Sequence, residues 1–122
     1  MPRDANARRE ALVLGARMES FVEAAMAAAG WSILARNWSG GGGELDIVAK
    51  RGDELRFVEV KVRDLEDPLA DEAVNASKRT RLRRAARLWM ETHEWDGPAA
   101  FLVAMVDRDE HTVRWVDDAF DG

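Results

Sequence analysis

The chain has 122 residues, which is the length of one domain and too short for two that fold independently. Hydrophobic residues make up 47% of the sequence and charged residues 34%, a balance that excludes disordered, collagen-like and low-complexity chains. The formal net charge of −5 excludes a protein that binds nucleic acid simply by being basic overall. We therefore expect a single domain over residues 1–122, with residues 1–6 as a disordered tail.

Cysteine and histidine usage excludes several kinds of site. Because the sequence has no cysteine, disulfides, thiolate zinc sites and cysteine nucleophiles are excluded, and a reducing compartment is compatible with it. The two histidines, His93 and His111, form no metal-binding motif. No apolar run approaches the ~20 residues of a membrane span, and the N-terminus lacks a signal-peptide pattern. We expect a cytoplasmic protein with no membrane segment.

Hydrophobic periodicity predicts two helices and five strands in the order α-β-β-β-α-β-β. The first helix extends from about Ala7 to Ala29 and ends at Gly30. The other predicted elements are strands at Trp31–Arg36, Glu44–Lys50 and Leu55–Arg63, a helix over Ala76–Glu94, and strands at Ala99–Val106 and Thr112–Val116. This order predicts an α/β fold in which helices pack on a mixed sheet.

The segment Asn37–Gly43 contains four consecutive glycines and is predicted to be a loop between the first two strands. No Lys-Ser or Lys-Thr follows the glycines, so the loop is not a P-loop phosphate cradle. Two interpretations stay open, a mobile flap beside a site and a slack connection. Trp38 in this segment is a candidate platform on which a nucleic-acid base could stack.

The second and third strands predict a hairpin centred on Gly52 and Asp53. In that register Asp46 lies opposite Glu59, Glu44 lies opposite Lys61, and all four share one side of the sheet because strand side chains alternate. The other side of the hairpin is apolar and is expected to form the core, with Leu45, Ile47, Ala49, Val58, Val60 and Val62.

Two carboxylates in directly opposed positions repel each other unless a cation lies between them. Asp46 and Glu59 would have Cβ atoms about 5 Å apart, and Mg²⁺ or Mn²⁺ commonly binds one or two carboxylates together with waters and phosphate oxygens. Lys61 on the same side could orient the attacking water or help to deprotonate it. This pattern is typical of phosphodiester hydrolysis. The alternative is a surface hairpin whose side chains form solvated ion pairs.

The residues around this pattern resemble a known family. Gly43-Glu44-Leu45-Asp46 and Phe57-Val58-Glu59-Val60-Lys61-Val62-Arg63 are similar to the signature of the YraN-type family, small uncharacterised bacterial proteins with a restriction-endonuclease-like fold. The Asp … Glu-x-Lys spacing is also that of the PD-(D/E)xK nuclease superfamily, and the architecture resembles archaeal Holliday-junction resolvases. The resemblance covers about residues 15–89 and includes Ala35-Arg36-Asn37-Trp38.

The resemblance implies a metal-dependent endonuclease or exonuclease that acts on DNA. It assigns Asp46 and Glu59 as metal ligands, the backbone carbonyl of Val60 as a third contact, and Lys61 as the catalytic lysine. Glu19 on the first helix matches the family's helical glutamate, and the alternative for it is an exposed helix residue.

Two other positions bear on this assignment. Glu44 matches the glutamate that follows glycine in the family, and we expect it to assist Lys61. At Leu102 the sequence departs from the family, because many relatives have an aspartate there. A second interpretation therefore stays open, a non-catalytic module that keeps the fold and binds nucleic acid or a partner protein.

The resemblance also suggests a homodimer, since resolvase-like relatives work as two-fold assemblies, although the sequence itself shows no interface. No pattern for sequence-specific readout is visible. We therefore expect cleavage that depends on DNA structure, at flaps, junctions or single strands, rather than at a recognition sequence.

A strongly basic segment lies within the second predicted helix, with six positive charges over residues 78–87. Arg79, Arg83 and Arg87 form one stripe that could follow a phosphate backbone, whereas Lys78 projects toward the apolar side and is expected to point into the site. The alternative is a solvated face neutralised by the five acids of residues 64–72. Because the charges are segregated in this way, composition excludes only indiscriminate electrostatic binding.

Overall fold

The computed structural model describes residues 9, 17–63, 76–107 and 112–117, so the predicted tail at 1–6 and the acidic segment at 64–72 lie outside the described residues. Helix α1 covers residues 17–28 and helix α2 covers Ala76–Thr92. The strands are β1 Ser32–Gly40, β2 Gly43–Arg51, β3 Glu54–Arg63, β4 Ala99–Asp107 and β5 Val113–Asp117.

The five strands of the described chain form one mixed sheet in the order β1-β2-β3-β4-β5. Neighbouring strands are antiparallel except β3 and β4, which are parallel and are connected by the segment that contains α2. The predicted α/β fold and its element order α-β-β-β-α-β-β are confirmed. In the part of the chain that the structure describes, no helix combines the length and apolar character needed to cross a bilayer.

Helices pack on both faces of the sheet and divide the core into two clusters. On the α2 side, Leu82, Ala86 and Trp89 pack with sheet residues that include Val48 and Phe57. The hairpin face that carries Asp46 and Glu59 therefore also contributes to the core, because Val48 and Phe57 on it are buried beneath α2. On the α1 side, the cluster contains Met18, Val22, Met26, Ile47, Ala49, Val58, Ala104 and Val106.

Leu45 also differs from its predicted place. It packs in the α2 cluster with Val48, whereas Ile47 and Ala49 pack in the α1 cluster. The regular pairing of β2 with β3 extends only as far as Ile47. Without that pairing, the residues before Ile47 need not keep the alternation of side chains between the two faces of the sheet.

The predicted glycine loop is in fact the tight end of the β1–β2 hairpin. Gly40 pairs with Gly43, and only Gly41 and Gly42 form the turn, with φ of 62° and 84°. A Cβ atom at Gly43 would overlap the carbonyl oxygen of Arg81 in α2, and one at Gly41 would lie 3.0 Å from another α2 carbonyl oxygen. The glycines therefore allow the hairpin to pack against the helix backbone, so the segment is a paired hairpin end rather than a slack connection.

Candidate active site

The β2–β3 hairpin has the predicted register and brings the two predicted carboxylates together. Its pairs extend to Ile47 opposite Val58, so the next residues along the two strands are Asp46 and Glu59. The backbone N–H of Val60 donates a hydrogen bond to Asp46 Oδ2 at 2.9 Å. This bond holds the Asp46 side chain against β3, beside Glu59.

Glu59 is buried with only 8% of its surface exposed, and two lysines contact one of its oxygens. Lys61 Nζ lies 3.1 Å from Glu59 Oε1, and Lys78 Nζ donates a hydrogen bond to the same oxygen. Lys61 follows Glu59 on β3, whereas Lys78 reaches it from the first turn of α2, as its position on the apolar side of that helix predicts. A buried carboxylate needs such partners, because an unpaired charge is costly away from water.

Asp46, Lys61 and Lys78 in this cluster have shifted pKa values. Burial, followed by the negative charge of Glu59, raises the pKa of Asp46 to about 7, although the Val60 N–H acts in the opposite direction. Burial, reinforced by Lys78, lowers the pKa of Lys61. For Lys78, burial acts to lower the pKa, but its contact with Glu59 outweighs burial and the pKa is raised. Shifts that arise from burial next to specific charged partners are typical of active sites.

Asp46, Glu59 and Lys78 line a cleft of about 570 Å³ between the tip of the β1–β2 hairpin and α2, and Lys61 is paired with Glu59 without lining the cleft itself. Glu44 lines the cleft, and Lys61 forms its ion pair with Glu59 on its own strand, so the assistance of Lys61 by Glu44 stays a prediction. The full lining consists of Ser39, Gly42, Gly43, Glu44, Asp46, Glu59, Lys78, Arg81 and Leu82.

Glu19 lies on α1, half-buried and close to the carboxylates of the cleft without lining it. Burial is the main reason that its pKa is raised, and the negative charges of Glu23, Glu44 and Glu59 contribute, while a hydrogen bond with Asn37 acts in the opposite direction. Glu19 is therefore near enough to sense the charge of Glu59 from the neighbouring helix.

The predicted arginine stripe does not reach the cleft. Arg83 and Arg87 border a separate cavity of about 90 Å³ on the β4 side of α2. Arg79 is exposed and does not line the cleft. The α2 arginine that lines the cleft is Arg81, which the stripe omits. It follows Lys78 by three residues, so the two share one side of the helix, and this spacing is the signal in the sequence that could have identified it.

Trp38 and Leu102 both lie outside the cleft. The Trp38 indole lies against Gly40 and packs at the margin of the α2-side core. Leu102 pairs with Val58 and packs on the α1 side of the sheet, the face opposite Glu59. The leucine at the position of the family's aspartate therefore removes no charged group from this cleft.

The oxygen donors of the cleft fit a divalent cation that is held by few protein ligands. Within the described ranges, no group of three or more His, Cys, Asp or Glu side chains is arranged to hold a metal ion. Mg²⁺, however, usually binds through one or two carboxylates and completes its shell with waters and phosphate oxygens. Asp46 and Glu59 supply those two carboxylates, and a cation between them would offset their mutual repulsion, which adds to burial in raising the Asp46 pKa.

Comparison with other sequences supports the assignment of the family. Residues 18–114 match the Uncharacterised protein family UPF0102, which corresponds to the YraN-type family. A UPF0102 protein of Methylocella silvestris is 42% identical over 93 residues, or 76% of this chain and 74% of that protein. A UPF0102 protein of Streptomyces griseus is 40% identical over 96 residues, which are 76% of this chain and 79% of that protein. A UPF0102 protein of Nitratidesulfovibrio vulgaris is 44% identical over 98 residues, which are 75% of this chain and 72% of that protein. Because the match spans most of the chain and includes Asp46, Glu59 and Lys61, the protein belongs to the UPF0102 family, as its sequence signature predicts.

Proposed function

We propose that this protein is a nuclease that hydrolyses phosphodiester bonds in DNA with Mg²⁺ or Mn²⁺. The observation that carries the proposal is that Asp46 and Glu59 lie together on one open cleft and that Lys61 is paired with Glu59. Two carboxylates held against each other destabilise a fold, and apolar residues of similar volume often stabilise it better. Such an arrangement in a cleft indicates that the charges serve chemistry.

Each residue of the cluster has a role that its contacts support. Asp46 and Glu59 would hold the cation, with the Val60 carbonyl as the third contact, while the Val60 N–H orients Asp46. When bound, the cation supplies positive charge that stabilises the charge developing on the phosphate. Lys61 would orient the attacking water, and its lowered pKa makes it better able to accept a proton. Glu19 adds negative charge at the edge of the cluster.

The groups around the carboxylates favour a nucleic-acid backbone as the substrate. Lys78 and Arg81 place positive charge on the cleft, and Ser39, Gly42 and Gly43 present a wall with little side chain. Cations, hydroxyls and backbone N–H groups are the partners of phosphates and carry no sequence information by themselves. The cleft therefore supports cleavage that depends on DNA structure rather than on a recognition sequence.

The proposal is tested by incubating the protein with single-stranded, flap and four-way-junction DNA in Mn²⁺. Glu59→Gln should lose nicking because it removes a metal ligand and the partner of Lys61. Glu54→Gln is the matched control, since Glu54 lies on the same strand at the opposite end and pairs only with Arg56 among the described residues. Equal metal-dependent nicking by the two variants, or none by the wild type, would refute the proposal.

The second candidate function is a non-catalytic module that binds nucleic acid. One observation favours it: Lys61 and Lys78 already balance the charge of Glu59, so the cluster can persist without a cation. This function predicts that Mn²⁺ leaves the melting temperature unchanged and that Glu59→Gln still binds DNA. The nuclease function predicts instead that Mn²⁺ raises the melting temperature, because a ligand that binds the folded state stabilises that state by mass action.

A further inference from the structure

One edge of the cleft combines a guanidinium group with an exposed peptide turn. Arg81 lines the cleft beside Gly42, and it forms no ion pair with any other residue in the described part of the chain. Lys78, by contrast, is held by Glu59. A guanidinium fork matches the geometry of phosphate oxygens and binds them in a bidentate manner. Arg81 is thus the cleft cation of α2 that is available to an anion.

The Gly41–Gly42 turn keeps this edge open. A Cβ atom at Gly42 would meet no other atom within 4 Å, so packing against neighbours does not require glycine there. The φ of 84° is positive, but Asn37 shows that this fold also holds an asparagine at a positive φ, of 48°. A side chain at position 42 would therefore project into free space at the cleft.

The remaining basic residues of α2 are directed elsewhere. Arg83 and Arg87 border the cavity on the β4 side of the helix, and the hairpin packs over the backbone of Arg81 on the other side. Among the described residues of α2, the cations that line the cleft are Lys78 and Arg81. A DNA strand that enters the cleft along α2 therefore passes these two residues.

We propose that Arg81, together with the backbone of the Gly41–Gly42 turn, binds a phosphate of the DNA strand adjacent to the phosphodiester that lies over Asp46 and Glu59. The inference rests on the proposed function and adds the path of the strand to it. The strand crosses the tip of the β1–β2 hairpin and the first turns of α2, and it does not follow the predicted arginine stripe.

The first test measures the affinity for a fluorescently labelled four-way junction by anisotropy, in Ca²⁺. Arg81→Met should raise the Kd about tenfold and reduce the slope of log K against log salt by about one, as expected for the loss of one phosphate contact. Lys50→Met is the control, because it removes one positive charge at the opposite end of β2. Equal affinities and salt slopes for the two variants would overturn the proposal.

The second test places a charge at the turn without changing its shape. Gly42→Asp and Gly42→Asn differ only in charge, and both residues tolerate a positive φ. We expect Gly42→Asp to bind the junction about tenfold more weakly than Gly42→Asn, because its carboxylate repels the phosphate beside Arg81. Gly52→Asp is the control at the far turn, where φ is 61° and a Cβ atom also meets nothing within 4 Å. Equal Kd values for the two Gly42 variants would overturn the proposal.

The subsite and the nuclease activity can fail separately. If nicking requires Glu59 but Arg81→Met binds as Lys50→Met does, the subsite is refuted and the nuclease is retained. If no metal-dependent nicking occurs but Arg81→Met loses affinity, the nuclease is refuted and the subsite belongs to a binding module. Thermal melts of every variant establish that each is folded before its affinity is compared.

Discussion

Replacing Asp46 with asparagine should make the metal-free protein more stable. The Asp46 carboxyl is largely buried beside Glu59, and these two factors raise its pKa to about 7. Asparagine has the same shape, and its side-chain oxygen can accept the hydrogen bond that Val60 N–H donates to Asp46 Oδ2 at 2.9 Å. The substitution therefore removes a buried charge while the Val60 N–H keeps its acceptor.

The size of the effect follows from the difference between the folded and unfolded pKa values. The ordinary value for Asp46 is 3.8 and the folded value is about 7. Each pKa unit corresponds to about 1.4 kcal/mol, so ionising Asp46 in the folded protein costs roughly 4 kcal/mol. Relaxation and water entry reduce such penalties in real proteins, so we expect asparagine to gain roughly 2–4 kcal/mol at pH 8.

The pH dependence has a definite sign. Because the folded pKa of Asp46 is raised, the folded state holds the proton more tightly than the unfolded chain does. Protonated Asp46 therefore contributes its full stabilisation of the folded wild type below about pH 4. This stabilisation is lost as the pH rises through about 7. The advantage of asparagine should be largest at pH 8 and should shrink toward pH 4, since the variant carries no titrating group at this position.

Thermal melting followed by circular dichroism, in EDTA at pH 5 and pH 8, measures this difference. Asp46→Asn should melt roughly 10 °C above the wild type at pH 8 and much closer to it at pH 5. Asp53→Asn is the matched control, because Asp53 is exposed in the β2–β3 turn. If Asp46→Asn melts at or below the wild type at pH 8, or if the gap is the same at both pH values, the reasoning that Asp46 is held at an energetic cost is wrong.

Metal binding, hairpin packing and the α1 side of the sheet each allow a further test. Mn²⁺ should raise the melting temperature of the wild type but not that of Asp46→Asn, and an equal rise in both would place the ion elsewhere. Gly43→Ala should lower the free energy of unfolding by about 1–3 kcal/mol in urea titrations, because its methyl group would overlap the Arg81 carbonyl oxygen. An unchanged urea midpoint would contradict that packing. Leu102→Asp should lower stability by about 1–3 kcal/mol without increasing nicking, since Leu102 packs on the face opposite the cleft; increased nicking would show that this position does act on the site.

The centre of the candidate site could be predicted from sequence because its signals are local. The Gly52 turn and the alternation of the two flanking strands set the register of the hairpin, and the register alone brings Asp46 beside Glu59. Lys61 follows on the same side because side chains alternate along a strand. The family signature then supplies roles for these residues that the pattern of charges alone leaves open.

The division of the core could not be predicted in the same way, because it depends on which elements cover the sheet. Alternation within the hairpin suggests one apolar and one charged side, yet Val48 and Phe57 on the charged side are buried beneath α2. The carboxylates Asp46 and Glu59 lie at one end of that face, beside the first turn of α2. Where a helix stops covering a strand is a long-range property, and the local pattern of either element does not contain it.

The glycine segment shows the same limit. Four consecutive glycines predict a loop when only local propensity is considered. Their actual requirement is steric, because Gly43 lies directly on the carbonyl oxygen of Arg81, far away in the sequence. A close approach between a hairpin and a helix backbone leaves no pattern in the sequence other than the missing side chains.

The basic residues of α2 show why phosphate-binding residues are hard to predict on a helix that packs over the site to which it contributes. The most regular stripe, Arg79, Arg83 and Arg87, is the obvious choice for a phosphate backbone, but the cleft lies at the edge of the buried face of the helix. The cations that reach the cleft therefore flank the apolar stripe, as Lys78 and Arg81 do within the four residues before the buried Leu82. For such a helix, the search for phosphate-binding residues should begin at the margins of the apolar face, because only those side chains can reach both solvent and the sheet beneath.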